Sequence, residues 1–144
     1  MTVLDSLYQA YNDHDPDAAA ALYAAGGEHE DVAHGRPRRG AQAIAEGLRR
    51  FLAAVPDARW ETSDRIIAGD RAVARYVLSG TLQGNLGPFR ARRQRIVLRG
   101  VQVLELHSGR ITRSEDFWDG ATFERQLANH NAATTAVDNE ERTA

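Results

Sequence analysis

The sequence predicts a single α+β domain in which a curved antiparallel sheet wraps around helices to make an open cone. Three observations carry that reading. Apolar residues recur at helical spacing in three segments before Pro56. Beyond Asp57 the period changes to two and holds through four long segments. The 144 residues, 42% of them apolar, suffice for one core, because a chain of this size buries roughly 68–70% of its unfolded surface.

The elements follow in order. Thr2 to Asn12 reads as a helix that Thr2 can cap, with Leu4, Leu7, Tyr8 and Tyr11 on one face. Asp13-His14-Asp15 breaks it. Asp15 then caps a second helix with Pro16 at its first position, where the missing N–H costs nothing. That helix is expected to run through Ala18–Ala21 to Tyr23 and to stop at Gly26-Gly27. Glu28 to Gly40 reads as irregular and rich in ionisable groups. A third helix, Ala41 to Val55, buries Ile44, Leu48, Phe51, Leu52 and Val55.

Arg59 to Ala68 and Arg71 to Leu82 read as strands joined by a Gly69-Asp70 turn. The second has Ala74, Tyr76 and Leu78 on one face and Val73, Arg75 and Val77 on the other. Arg90 to His107 reads as a long strand whose alternation breaks near Leu98–Val101, where Gly100 suggests a bulge or bend. After the Ser108-Gly109 turn, Arg110 to Trp118 is the last strand, and Asp119 caps a closing helix through Phe123 and Leu127. The domain is expected to span 1–128. The polar stretch 129–144 reads as a disordered tail. Helices segregated to one side of such a sheet leave an open mouth suited to a small-molecule pocket.

Composition narrows the function. With no cysteine, thiol nucleophiles, disulfides and cysteine-based metal sites are excluded. A net charge of −2 argues against nucleic-acid binding through bulk charge. No apolar run reaches the ~18 residues of a membrane span, and the N-terminus lacks a secretory pattern, so a cytoplasmic protein is expected. Nucleophilic triads, phosphate loops and dinucleotide fingerprints are absent, so no cofactor is implied.

The order of short motifs adds a resemblance. Tyr11-Asn12, Asp15-Pro16-Asp17, Pro56-Asp57, Gly80-Thr81, Gly84, Arg95-Ile96, Gly109-Arg110-Ile111, Asp116-Phe117-Trp118-Asp119 and Arg125-Gln126-Leu127 together resemble the SnoaL-like polyketide cyclases. These belong to the group with the nuclear transport factor 2 or ketosteroid isomerase cone fold. The resemblance covers roughly residues 3–128. It implies ring closure on a polyketide-derived chain without metal or organic cofactor, with an aspartate on the last strand as acid/base. By the flanking motifs that aspartate is Asp116. The surroundings depart from the family pattern. Ser114 stands where the cyclases carry a histidine, Gly100-Val101-Gln102 stands for Gln-x-His, and His29 aligns with a pocket asparagine.

Residue chemistry then defines the candidates. Alternation puts Ser114, Asp116 and Trp118 on one strand face. In an apolar cavity Asp116 would be pushed towards neutral pKa, which suits proton exchange with a carbon acid; the alternative is a rim residue paired with an arginine. Gln102, on the adjacent strand with Leu104, could hydrogen-bond an enolate oxygen or satisfy a neighbour. His29, Asp31 and His34 either line the pocket or form a solvated loop. Asp31 lies close to the position of the proton-shuttling aspartate of ketosteroid isomerases. His29-x-Asp31-x-x-His34 also admits a metal reading, and no metal is expected. Tyr11, Trp60 and Tyr76 could reach the cavity or be core aromatics.

Three functions fit. The first is a cofactor-independent cyclase of bacterial secondary metabolism, working by aldol-type proton transfer or by orienting the substrate as in a cycloaddition. The second is an epoxide hydrolase, which on this fold uses an Asp–Arg–Asp constellation whose carboxylates Asp31 and Asp116 could supply and whose arginine the sequence does not identify, or a double-bond isomerase. The third is a non-catalytic ligand-binding dimer module. The expected partners are a small hydrophobic polyketide-like substrate and a second copy, which would cover Val73, Val77, Val97, Val101 and Val103. Arg90, Arg92, Arg93 and Arg95 are either a surface for an acidic carrier protein or a solvated strand face.

Overall fold

The computed structural model describes residues 1–128; the tail expected over 129–144 lies outside the described residues. Four helices and six strands follow in the order α1 (Val3–Asn12), α2 (Pro16–Ala20), β1 (Tyr23–Asp31), β2 (Arg36–Arg39), α3 (Ala41–Ala54), β3 (Arg59–Ala68), β4 (Arg71–Thr81), β5 (Arg95–His107), β6 (Arg110–Trp118) and α4 (Gly120–Ala128). The strands form one curved sheet in the order β2-β1-β6-β5-β4-β3. Among the described residues no helix is long and apolar enough to cross a membrane.

The helix starts obey local chemistry. At α1 the Thr2 hydroxyl accepts from the Asp5 N–H and the Asp5 carboxylate accepts from the Thr2 N–H, a reciprocal capping box. Asp15 caps α2 through the Ala18 N–H, with Pro16 leading the helix. Leu4, Leu7 and Tyr8 of α1 and Ile44 and Leu52 of α3 meet Ala72, Ala74, Tyr76 and Leu78 of β4 in one core. The predicted faces of β4 are therefore the observed ones.

Two strands correct the sequence reading. The helix expected to reach Tyr23 ends at Ala20, and Tyr23 opens β1. The segment expected to be irregular supplies the last four residues of β1 and all of β2, so the sheet has six strands and not four. β1 runs antiparallel to β2 but parallel to β6. Its sequence, YAAGGEHED, has little β-branched or aromatic content and so little strand preference of its own. Its neighbours hold it: on one face Arg113 of β6 pairs with Glu28 at 2.8 Å and with Glu30 at 2.6 Å. Gly26, at φ +72°, lies in the register shift between Tyr23 and Glu28.

The long strand starts later than expected. Arg90 to Gln94 precede β5 as a loop, pinned where the buried Gln94 side chain donates to the carbonyls of Arg90 and Leu127. The basic cluster therefore sits mostly on a loop. Gly100 makes no bulge, since the β4–β5 register runs unbroken through the Tyr76–Gly100 pair. Its role is space. A Cβ at Gly100 would stand 2.2 Å from Oη and 2.3 Å from Cζ of Tyr76, so only glycine lets the Tyr76 ring lie across β5 towards β6.

Replacing Gly100 by Ala should therefore destabilise the fold by about 1–3 kcal/mol, because the buried ring cannot move aside without strain. The denaturation midpoint measures this; an unchanged midpoint would mean that the ring has room the structure does not show.

Candidate active site

A cavity of ≈ 440 Å³ opens between α3, α4 and the inner face of the sheet. Its walls are apolar, with Ile44, Leu48 and Phe51 from α3, Trp60 and Leu78 from β3 and β4, and Phe123 from α4. Its polar residues include Asp116, Tyr76, His29, Asp31 and Arg38. Sheet register decides that grouping. Asp116 is the Cα partner of Asp31 on one side and of Gln102 on the other, and His29 is the partner of Ser114.

Asp116 is removed from bulk water and is pushed up to about 7 by burial, the largest effect. Asp31 adds like-charge repulsion; the hydrogen bond from Tyr76 and the proximity of His29 oppose the rise. Tyr76 Oη donates to Asp116 Oδ1 at 2.6 Å. No other described side chain bonds this carboxylate, which leaves Oδ2 for a ligand. Burial and the adjacent Asp116 charge both raise the Tyr76 phenol, so it stays a proton donor across the working range.

Asp31 has the opposite character. Burial pushes its carboxyl up, but His29, Arg38 and Trp118 together outweigh that and hold it at about 2. His29 Nε2 lies 3.3 Å from Asp31 Oδ1, and Arg38 Nη1 donates to Asp31 Oδ2 at 3.3 Å. The other His29 nitrogen, Nδ1, is 2.7 Å from Ser114 Oγ, which is 2.6 Å from Tyr23 Oη. An ionised Asp31 can only accept, so a neutral His29 carries its proton on Nε2. It then accepts at Nδ1 from Ser114, which accepts from Tyr23. The result is a polar chain from the core to the cavity wall.

The remaining candidates divide into two groups. Tyr11, Trp60, His34 and Trp118 line the cavity. His34 stacks edge-on against Trp118, 5.0 Å between centroids. Gln102, Leu104 and Ser114 are fully buried and lie outside the lining. The Gln102 carbonyl accepts from Tyr8 at 2.8 Å and its amide donates to Tyr11 at 3.1 Å. Both ends are satisfied, so Gln102 orients tyrosines and does not reach a ligand. Leu104 is packed in the core and Ser114 is a link in the His29 chain. Sequence reasoning missed Arg38 and Tyr23 because it missed the strands that carry them.

His29, Asp31 and Asp116 each offer one ligand atom within 4.8 Å of the others, so this trio could gather a divalent ion. Both His29 nitrogens already have partners, and an ion would have to replace the bond to Asp31.

The two carboxylates impose opposite pH dependences on stability. Asp116 has a raised pKa, so its contribution is full below about pH 4 and is lost as pH rises to about 7. Asp31 has a lowered pKa, so its contribution holds above about pH 4 and is lost as pH falls to about 2. Stability should fall by about 2–4 kcal/mol between pH 4 and 7, and Asp116→Asn should flatten that slope. Denaturation across pH measures it; an equal slope in both proteins would show that Asp116 titrates normally.

Comparison with known proteins gives the family and the fold. No curated protein matches the chain. Among solved structures, a candidate polyketide cyclase from Xanthomonas campestris pv. campestris is 27% identical, with a TM-score of 0.76, over 88% of this chain and 94% of that one. A protein of ketosteroid isomerase-like fold from Catenulispora acidiphila is 20% identical with a TM-score of 0.76, over 88% and 94% of the two chains. TerC, co-crystallised with polyporic acid, is 20% identical with a TM-score of 0.73, over 88% and 96%. The profile of the SnoaL-like polyketide cyclases matches residues 1–127, and the chain belongs to that family.

Proposed function

We propose that this protein is a cofactor-independent cyclase that closes a carbon ring on a polyketide-derived chain, with Asp116 as acid/base. The observation that carries the reading is a single carboxylate, raised to about 7, facing an open cavity of ≈ 440 Å³ with apolar walls. The open volume speaks against a cavity filled by its own side chains, which a purely structural module would favour.

The step is an intramolecular aldol closure. Asp116 takes a proton from the carbon between two carbonyls, and the enolate attacks a second carbonyl of the same chain. The new alkoxide then recovers the proton. A base near pKa 7 balances proton affinity against availability at neutral pH. The walls hold the reacting carbons together, and such orientation is worth ~7–11 kcal/mol of barrier. Tyr76 stabilises the carboxylate and keeps its second oxygen aimed at the ligand.

A second reading draws on Arg38. The arginine that an Asp–Arg–Asp arrangement for epoxide opening requires, and that sequence alone did not identify, pairs with Asp31 and lines the same cavity as Asp116. A panel that includes epoxides separates the two reactions by product.

The sheet's outer face supports pairing with a second copy. Ile66, Val77, Val97 and Phe117 are 58%, 38%, 46% and 42% exposed, apolar residues that water penalises, set among the exposed arginines Arg75, Arg95 and Arg99. Sedimentation should find a dimer, with Val97→Glu shifting it towards monomer; a wild-type monomer at micromolar concentration would remove this expectation.

The catalytic test is turnover of linear chains carrying 1,3-diketones. Asp116→Asn should lose ~10²-fold or more, and wild-type kcat/KM should rise with pH through a limb near pH 7. Chelation with EDTA should leave turnover unchanged. If the asparagine variant cyclises normally, the cavity acts by orientation alone. If chelation abolishes activity and a divalent ion restores it, His29, Asp31 and Asp116 act as metal ligands.

A further inference from the structure

Arg38 places a cation on the cavity wall with most of its hydrogen-bonding capacity unused. A guanidinium presents five N–H donors in a planar fork. Arg38 uses one, from Nη1 to Asp31 Oδ2 at 3.3 Å. That is long for a charge-assisted bond, which is typically about 2.7–2.9 Å. No other described group accepts from it. Its side chain is 34% exposed, and what it borders is the cavity.

Gly47 supplies an independent observation. It is buried in the middle of α3, where glycine disfavours the helix relative to alanine. The helix uses alanine at its other small positions, Ala41, Ala43, Ala45, Ala53 and Ala54. A Cβ at Gly47 would stand 2.5 Å from Nε and 2.7 Å from both Cδ and Cζ of Arg38. The glycine therefore leaves a notch that the end of the Arg38 side chain occupies against the helix. The notch fixes the direction of the fork, which an ion pair alone would leave free to swing.

We infer that Arg38, bedded in the Gly47 notch, anchors a carboxylate on the ligand, so that the cavity takes an apolar molecule with one anionic end. A guanidinium edge matches a carboxylate in a bidentate pair. Asp31 offsets one positive charge but occupies only one donor. Arg50 and Glu124 also border the cavity, both exposed and of opposite sign, so neither decides its charge. This inference rests on the cyclase reading for what reacts at Asp116, not for what binds at Arg38.

The test is binding in mildly acidic buffer of adamantane-1-carboxylate against adamantane-1-carboxamide, two probes of one shape and different charge. The chain's two tryptophans, Trp60 and Trp118, both line the cavity, so their emission reports occupancy. Wild type should bind the carboxylate about tenfold tighter or more. Arg38→Met should erase that preference, weakening the carboxylate far more than the carboxamide. Gly47→Ala should also lose most of it, with an equal or higher Tm, because alanine favours the helix and only the guanidinium is displaced. Equal affinity for the two probes in wild type, or no binding of the carboxylate, would overturn the inference. So would a preference that survives in both variants while Arg38→Met loses stability, since Arg38 would then only brace Asp31. Binding is read without turnover, so absent ring closure and absent anion preference are separate results.

Discussion

Asp31 and Asp116 stand side by side because β1 and β6 run parallel and in register, and most of the site's chemistry depends on that pairing. β1 has little reason of its own to be a strand. On one face Glu28 and Glu30 fasten to Arg113; on the other His29 and Asp31 point to the cavity. A slip of one residue would exchange the faces, sending both acids of the outer pair inward and His29 and Asp31 outward. The arginine that looks like surface charge therefore sets the register of the active site.

The same pairing separates two carboxylates into two roles. Asp31 gathers His29, Arg38 and Trp118 and remains charged, with a pKa of about 2. Among the described residues Asp116 has only Tyr76 as a hydrogen-bonding side chain and is otherwise desolvated, so its pKa rises to about 7. Environment alone pushes identical groups apart, which is how one site acquires a fixed charge and a titratable base. Tyr76 reaches Asp116 only because Gly100 leaves its path clear. A glycine on β5, a tyrosine on β4 and an aspartate on β6 thus make a single device across three strands. Beneath it, Gln102 ties Tyr8 to Tyr11, so the polar groups under the apolar wall are satisfied and the wall is held rigid.

Much of this was legible in the chain. The strands β3 and β6 begin and end where the sequence reading put them, and β4 ends one residue earlier; β4 buries one face and exposes the other, whereas β3 is exposed on both faces beyond Thr62. The helices α1 and α3 follow from apolar spacing, and α1 and α2 carry their caps in the sequence. Asp116, Trp118, Tyr76, Trp60 and Tyr11 were candidates, and all line the cavity. Gln102, Leu104 and Ser114 were candidates too and do not, since alternation reports which face a residue takes but not how deep it lies. β1 and β2 were hidden because their residues favour strand only when paired, and Gly100 was misread because its reason sits on a neighbouring strand.

By itself, then, the sequence determined the α+β class, the cone, the four strands that follow Pro56 and the aspartate at the end of the last one. These are local properties, written in period, caps and turns. Only the tertiary structure decided that Asp31 faces Asp116, that Arg38 enters the cavity across Gly47, and that His29 connects to Tyr23 through Ser114. The first and last arise from pairing between segments some 85 residues apart and the second from β2 packing beside α3 once β1 holds it, and no local pattern encodes a register that exists only once both strands are in place.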